Sequence, residues 1–108
     1  MSEPVDASSW DDGAQHAVKP GTEIVLRLPE NATTGYRWDV SQSGSGELRL
    51  VEDRFEQQPD AAGIGAGGVR IVRFRAGAAG QARLEAVERR SWQPGSETHR
   101  KTFLIEIA

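Results

Sequence analysis

The sequence contains no cysteine and only two histidines. Without cysteine, disulfides, thiol catalysis and cysteine-ligated metal sites are all excluded. His16 and His99 stand far apart in the chain, at no spacing that is typical of a metal site or a catalytic triad. A serine or threonine nucleophile would need a neighbouring base, and none is evident in the sequence. The sequence therefore indicates a protein that is not an enzyme and that uses no metal or cofactor.

No apolar run approaches the length of a membrane span, and the formal net charge of -3 offers no basic surface for nucleic acid. We therefore expect neither a membrane nor a nucleic acid as partner. The N-terminal stretch is acidic and polar, which is unlike a signal peptide and slightly favours the cytoplasm. A signal removed from the chain would instead allow secretion or a periplasmic location.

What the sequence does contain is glycine, charge and short alternating apolar stretches. A length of 108 residues suits one domain, and the apolar and charged fractions of 37% and 27% suit a globular fold with wide solvated faces. Twelve glycines indicate many turns, which favours an all-β protein. Residues 1–21 form an acidic, polar lead-in that either contributes a first strand or packs loosely, and residues 22–108 form the main domain.

Six stretches after the lead-in alternate apolar and polar residues with the period of a β-strand. They predict six or seven short antiparallel strands at spacings that are typical of a β-sandwich. A bulge is expected near Val51, where the alternation breaks. The side chains predicted to face the core are Ile24, Leu26, Leu28, Tyr36, Trp38, Val40, Leu48, Leu50, Val72, Phe74, Ala76, Ala82, Leu84, Ala86, Phe103, Ile105 and Ile107.

Three of the five connections between these strands are long and elaborate, and they are the alternate ones. We name them the first loop (Asn31–Gly35), the second loop (Gly63–Gly68) and the third loop (Arg90–Gly95). Because each antiparallel strand returns the chain to the end that it came from, alternate connections meet at one end. The sequence therefore predicts that the three loops share the end of the sandwich where immunoglobulin-like folds carry binding loops.

Each loop allows a structural and a functional interpretation. The first loop is either a tight turn, with Gly35 at positive φ, or a turn that presents Thr33 and Thr34. The second loop matches G-x-G-x-x-G, but a strand follows it instead of the helix that this motif needs. It is therefore either a flexible hairpin loop or a loop whose exposed backbone N–H and C=O groups pair with a partner. In the third loop, Trp92 either covers the end of the sandwich or anchors an interface together with Arg90.

Taken together, the three loops resemble those of the chagasin-type inhibitors of papain-like cysteine peptidases. That family carries N-P-T-T-G-[YF], G-x-G-G and R-P-[WF] in its three loops. The resemblance extends roughly from Thr22 to Ile107, and it departs from the family pattern at Ala32 and Ser91, which stand where the family has proline. The matching stretches are Asn31-Ala32-Thr33-Thr34-Gly35-Tyr36, Gly65-Ala66-Gly67-Gly68 and Arg90-Ser91-Trp92.

The resemblance implies an immunoglobulin-like antiparallel β-sandwich that inhibits papain-like cysteine peptidases reversibly, competitively and tightly, as a monomer in a 1:1 complex. It implies that Thr33 and Thr34 sit against the catalytic Cys–His pair, that the second loop lies along one side of the cleft, and that Arg90 and Trp92 grip the other side. The protease-binding residues expected on this basis are Asn31, Thr33, Thr34, Gly35, Tyr36, Gly65, Ala66, Gly67, Gly68, Arg90 and Trp92.

Two alternatives belong to a different functional class. The same loops could make the chain an immunoglobulin-like module that binds a non-protease partner. They could also bind carbohydrate, with Trp92 and Tyr36 stacking on sugar rings, although such a site usually needs more exposed aromatic residues than this sequence offers.

Overall fold

The computed structural model describes residues 4–8, 10–31, 35–57, 67–90, 95, 97 and 99–108, with the backbone alone at Asn31. These residues form β-strands and their connections. The strands are β1 (Val5–Asp6), β2 (Gln15–Val18), β3 (Glu23–Asn31), β4 (Tyr36–Gly44), β5 (Leu48–Gln57), β6 (Gly67–Ala76), β7 (Gly80–Arg90) and β8 (His99–Ile107). The described part of the chain holds no helix long and apolar enough to cross a membrane.

The strands build two four-stranded sheets that pack face to face. The first sheet has the order β1-β3-β6-β5, and the second has the order β2-β8-β7-β4. The six strands predicted from sequence correspond to β3 through β8, and their pairings are all antiparallel. The prediction of an all-β, immunoglobulin-like sandwich is thereby confirmed.

The polar lead-in supplies one strand to each sheet. β1 pairs with β3 and β2 pairs with β8, and both of these pairings are parallel, which the sequence did not predict. A parallel pair cannot be closed by a tight hairpin, and here the chain passes through β2 in the opposite sheet between β1 and β3. Ala7 is fully buried, and Trp10 meets the core residue Phe103 edge to face at 5.5 Å between ring centroids.

The core lies between the sheets and consists of the inward-facing residues of the alternating strands. Ile24, Leu26 and Leu28 are buried in β3, as the alternation predicts. The apolar positions of β6 are buried beside them in the same sheet, and those of β7 and β8 are buried in the opposite sheet. Each such side chain contributes roughly 1.5–3 kcal/mol through its removal from water. In β4, Trp38 is buried, while Tyr36 and Val40 are half-buried.

The edge strand β5 departs from the alternation. Leu48 is fully buried as predicted, but Leu50 is 57% exposed, so the prediction that it faces the core is wrong. The register shifts between Leu50 and Glu52, which confirms the bulge expected near Val51. A bulge bends its strand, and among the described strands β5 is the edge strand of its sheet, so Leu50 has a neighbouring strand on one side only.

Two leucines on neighbouring strands of the second sheet test the assignment of the core. Leu84 is fully buried, whereas Leu104, one register position away, points outward and is 42% exposed. We expect Leu84→Ala to lower the free energy of unfolding by about 2–5 kcal/mol, and Leu104→Ala by less than about 0.5 kcal/mol. Urea unfolding followed by circular dichroism measures both, and equal losses would contradict the assignment.

Candidate functional site

The strand registers bring the described ends of the three loops to one end of the sandwich. In the first sheet Asn31, where the first loop begins, pairs with Gly67 of the second loop. In the second sheet Tyr36, which follows the first loop, pairs with Arg90, where the third loop begins. The first loop therefore crosses from one sheet to the other, between the bases of the other two loops.

Several expected site residues lie outside the part of the chain that the structure describes. They are Thr33, Thr34, Gly65, Ala66 and Trp92, and of Asn31 only the backbone is described. The described members of the set are the residues at the bases of the loops, which are Gly35, Tyr36, Gly67, Gly68 and Arg90.

Two glycines at this end are required by the backbone. Gly35 has φ of 79°, which confirms that the first loop uses a positive φ as it enters β4. At Gly68, a Cβ atom would lie 2.5 Å from the Glu56 carbonyl oxygen and 2.5 Å from the Phe55 ring, so β5 could not approach as closely. At Gly67, by contrast, a Cβ would meet no atom within 4 Å, which leaves room for a partner to approach its backbone.

Arg90 and Tyr36 form a contact that joins the first and third loops. The Arg90 guanidinium carbon lies 4.5 Å from the centroid of the Tyr36 ring, a cation–π geometry. Such a contact contributes roughly 0.5–1 kcal/mol at an exposed position. The guanidinium is therefore held at the base of the loops rather than extending freely from them.

A buried carboxylate lies directly beneath the first loop. Glu30 is 4% exposed and precedes Asn31 in the chain. Its Oε1 accepts a hydrogen bond from the Trp38 backbone N–H at 2.7 Å, and its Oε2 accepts one from Arg70 Nη2 at 2.8 Å. One carboxylate thus joins β3 and β6 of the first sheet to β4 of the second.

These contacts hold the stem of the first loop. β3 and β4 belong to different sheets, so no ladder of backbone hydrogen bonds closes the loop between them. Instead, the Glu30 carboxylate binds the Trp38 amide, and the Trp38 indole N–H donates to the Pro29 carbonyl oxygen at 2.7 Å. Residues on both sides of the first loop are therefore fixed to one another by two short hydrogen bonds.

The charge of Glu30 is balanced by Arg70, whose side chain is 17% exposed. Arg70 also donates to Asp53 Oδ1 at 3.2 Å, and its guanidinium carbon lies 5.9 Å from the Phe55 ring centroid. Desolvation lowers the pKa of Arg70, but the hydrogen bonds and charges of Glu30 and Asp53 outweigh it and leave that pKa above its ordinary value. Arg70 therefore stays charged, as a buried partner of a carboxylate must.

The edge of β3 next to this stem is closed to further strands. Arg27 donates its backbone N–H to the Ser8 hydroxyl at 2.7 Å, on the side that faces away from β6. Two residues on, the Pro29 backbone faces the same side. Pro29 has no N–H, and its carbonyl oxygen accepts a hydrogen bond from the Trp38 indole N–H. A partner cannot extend the sheet at this position, so contacts at this end are left to the loops.

Sequence reasoning missed Glu30 and Arg70, although the signal was present. Glu30 continues the inward alternation of Ile24, Leu26 and Leu28, and Arg70 continues that of β6 at its loop end. A charged residue at a position predicted to face the core indicates a buried pair. No group of three histidine or acidic residues suited to a metal ion occurs in the described part of the chain.

The two carboxylates that bind Arg70 provide a matched test of this network. Glu30→Gln removes the buried charge, and we expect a loss of roughly 3–5 kcal/mol in the free energy of unfolding because Arg70 is then left without its buried partner. Asp53→Asn removes the partner that is 47% exposed and should cost less than about 1 kcal/mol. If urea unfolding shows equal losses for the two variants, Glu30 does not hold the stem.

Comparison with known proteins places these features in a family. A sequence model of the chagasin family peptidase inhibitor I42 matches residues 17–107. Chagasin from Trypanosoma cruzi is 28% identical over 100 residues, which cover 88% of this chain and 90% of that protein.

Solved structures agree with the fold. The crystal structure of the cysteine protease inhibitor EhICP2 from Entamoeba histolytica aligns with a TM-score of 0.82 at 18% identity, covering 98% of this chain and 95% of that one. The solution structure of amebosin aligns with a TM-score of 0.70 at 20% identity, over 99% and 100% of the two chains. PbICP-C, solved in complex with falcipain-2, gives 0.67 at 13% identity, over 99% and 96%.

These structural likenesses show the fold. The family model matches most of the chain and therefore also shows the family. The resemblance carried by the three loop motifs is confirmed: the chain belongs to the chagasin family of peptidase inhibitors.

Proposed function

We propose that this protein inhibits papain-like cysteine peptidases reversibly and competitively, with its three loops blocking the active-site cleft in a 1:1 complex. The observation that carries the proposal is the pairing of Asn31 with Gly67 and of Tyr36 with Arg90, which gathers the bases of all three loops at one end. Similar proteins include a cysteine protease inhibitor and a chain solved in complex with falcipain-2. Members of this family are inhibitors rather than enzymes, in agreement with the expectation from sequence.

The first loop acts as the wedge. A papain-like peptidase holds a thiolate beside an imidazolium in its cleft. Thr33 and Thr34 are small enough to enter beside that ion pair, and their hydroxyl groups can donate or accept hydrogen bonds there. The stem formed by Glu30 and Trp38 supports this role, because a loop that is fixed at both ends loses little conformational entropy on docking.

The second and third loops act on the two sides of the cleft. Gly67 has open space around its α-carbon, so its backbone can approach the peptidase closely. Trp92 supplies the large apolar anchor that dominates many interfaces. Arg90 stacks on Tyr36 and so fixes where the third loop leaves the sheet. One end of a domain of this size can supply roughly 800 Å² of contact, which is the standard share for a stable complex.

Titration of papain with the purified protein against a fluorogenic peptide tests the proposal. We expect competitive inhibition at nanomolar concentrations and a 1:1 equivalence point. Trp92→Ala should raise the inhibition constant about 30-fold or more, because an interface anchor contributes roughly 2 kcal/mol or more. The double change Thr33→Phe with Thr34→Phe should weaken inhibition to a similar degree, because the wedge becomes too bulky for the cleft.

Leu104→Ala serves as the control, since Leu104 is exposed in the second half of β8, away from the strand end that follows the third loop, and its replacement should leave inhibition unchanged. If Trp92→Ala and the double threonine variant inhibit as well as the parent, the three-loop site is wrong. If the folded parent protein does not inhibit papain even at micromolar concentration, the proposed function fails and a non-protease partner becomes the leading interpretation.

The two departures from the family pattern give a separate prediction. Proline fixes φ and reduces the conformational freedom of a free loop. We expect Ala32→Pro and Ser91→Pro each to improve the affinity for papain about two- to fivefold, which corresponds to about 0.4–1 kcal/mol for a compatible backbone. The inhibition constants of the single variants measure this effect. Much weaker inhibition by Ala32→Pro would show that the loop has a conformation that proline does not allow.

A further inference from the structure

A groove of about 610 Å³ lies between β3 and β8, near the strand ends that carry the loops. We call it the side groove. Leu28, Pro29 and Trp38 supply its apolar wall, and the short link between β1 and β2 borders it at Ser8 and Asp12. Its size falls within the roughly 300–1,000 Å³ that is typical of sites for small organic ligands. Gly67 and Gly68, at the base of the second loop, also line the groove, so it borders the proposed contact with a peptidase.

The carboxylates that line the side groove are already engaged within the protein. Glu30 binds Arg70 and the Trp38 amide, as described above. The Asp12 carboxylate accepts the Thr102 backbone N–H at 2.7 Å. The Glu88 carboxylate contacts His99 Nδ1 at 2.9 Å. Each of these carboxylates therefore already has a partner within the protein, and none of them forms an ion pair with the additional positive charge that lines the groove.

Lys101 supplies that additional charge. It continues the inward alternation of Phe103 and Ile105 along β8, it pairs with Ala86 of β7, and it lines the groove half-buried. Among the residues that the structure describes, none forms a hydrogen bond or an ion pair with its ammonium group. An ammonium group beside an apolar wall is stabilised by an anion within hydrogen-bonding distance.

We propose that the side groove binds a small amphipathic monocarboxylate, whose carboxylate pairs with Lys101 and whose apolar body lies against Trp38 and Leu28. One unpaired ammonium matches one negative charge. The engaged carboxylates of Glu30 and Glu88 would repel a second negative charge, which disfavours dianions such as phosphate esters. Two arginines also line the groove, and both have partners: Arg27 faces Asp6 at 4.0 Å and Arg100 faces Glu85 at 3.3 Å. The apolar wall favours a hydrocarbon or aromatic body over a polar one.

The chain offers a matched control for the test, because it contains only two lysines, Lys19 and Lys101. Lys19 is exposed and lies outside the groove. Calorimetric titration with octanoate, and in parallel with 1-octanol, separates the charge from the apolar body. For the parent protein we expect saturable 1:1 binding of octanoate, with amide chemical-shift changes concentrated at Leu28, Gly68 and Lys101.

Lys101→Met should weaken octanoate binding about tenfold, as expected for the loss of one charge-assisted hydrogen bond, and should leave octanol binding unchanged. Lys19→Met, which makes the same change in net charge, should bind octanoate like the parent protein. The proposal is overturned if the parent shows no saturable binding at millimolar octanoate, or if both methionine variants lose the same affinity. It is also overturned if Lys101→Met binds octanoate unchanged. None of these titrations contains a peptidase, so their outcome is independent of the proposed function.

Discussion

The Glu30 carboxylate is the group on which the arrangement of the functional end depends. A loop between two strands of one sheet is closed by the ladder that joins those strands. The first loop instead joins strands of different sheets, and no such ladder is available. Glu30 replaces it by binding the Trp38 amide across the loop and Arg70 across its own sheet. Because this carboxylate is 4% exposed, water competes poorly for these bonds and the stem is held in one geometry.

A fixed stem explains how so small a domain can serve as an inhibitor. Affinity depends on how much freedom the contact residues lose as well as on the area that they bury. The three loop bases are tied by register pairs within each sheet, and the first loop is tied between the sheets by Glu30. Arg90, stacked on Tyr36, adds a contact between the first and third loops. The conformational entropy of bringing the loop bases together is therefore lost when the domain folds, and not when a peptidase binds.

The alternation of apolar residues was sufficient to predict β3, β6, β7 and β8 with their core-facing residues, because in those strands every second residue is apolar and buried in the core. It failed for β1 and β2, because strands of two and four residues are too short to show a period. It failed at Leu50 because alternation does not report that a strand lies at the edge of a sheet. Glu30 and Arg70 stand 40 positions apart, and no local pattern could pair them.

The need for a hydrogen-bond acceptor at this position follows from the backbone. The Trp38 N–H points away from β7, at the edge of its sheet, and a buried amide requires an acceptor. Glu30 provides that acceptor, Arg70 neutralises Glu30, and Asp53 accepts a further hydrogen bond from the Arg70 guanidinium. Buried ion pairs can often be replaced by apolar residues at little cost. Here an apolar replacement would leave the Trp38 amide without an acceptor, so an oxygen at position 30 is required by a single backbone hydrogen beside the first loop. The charge that Glu30 carries in turn requires Arg70.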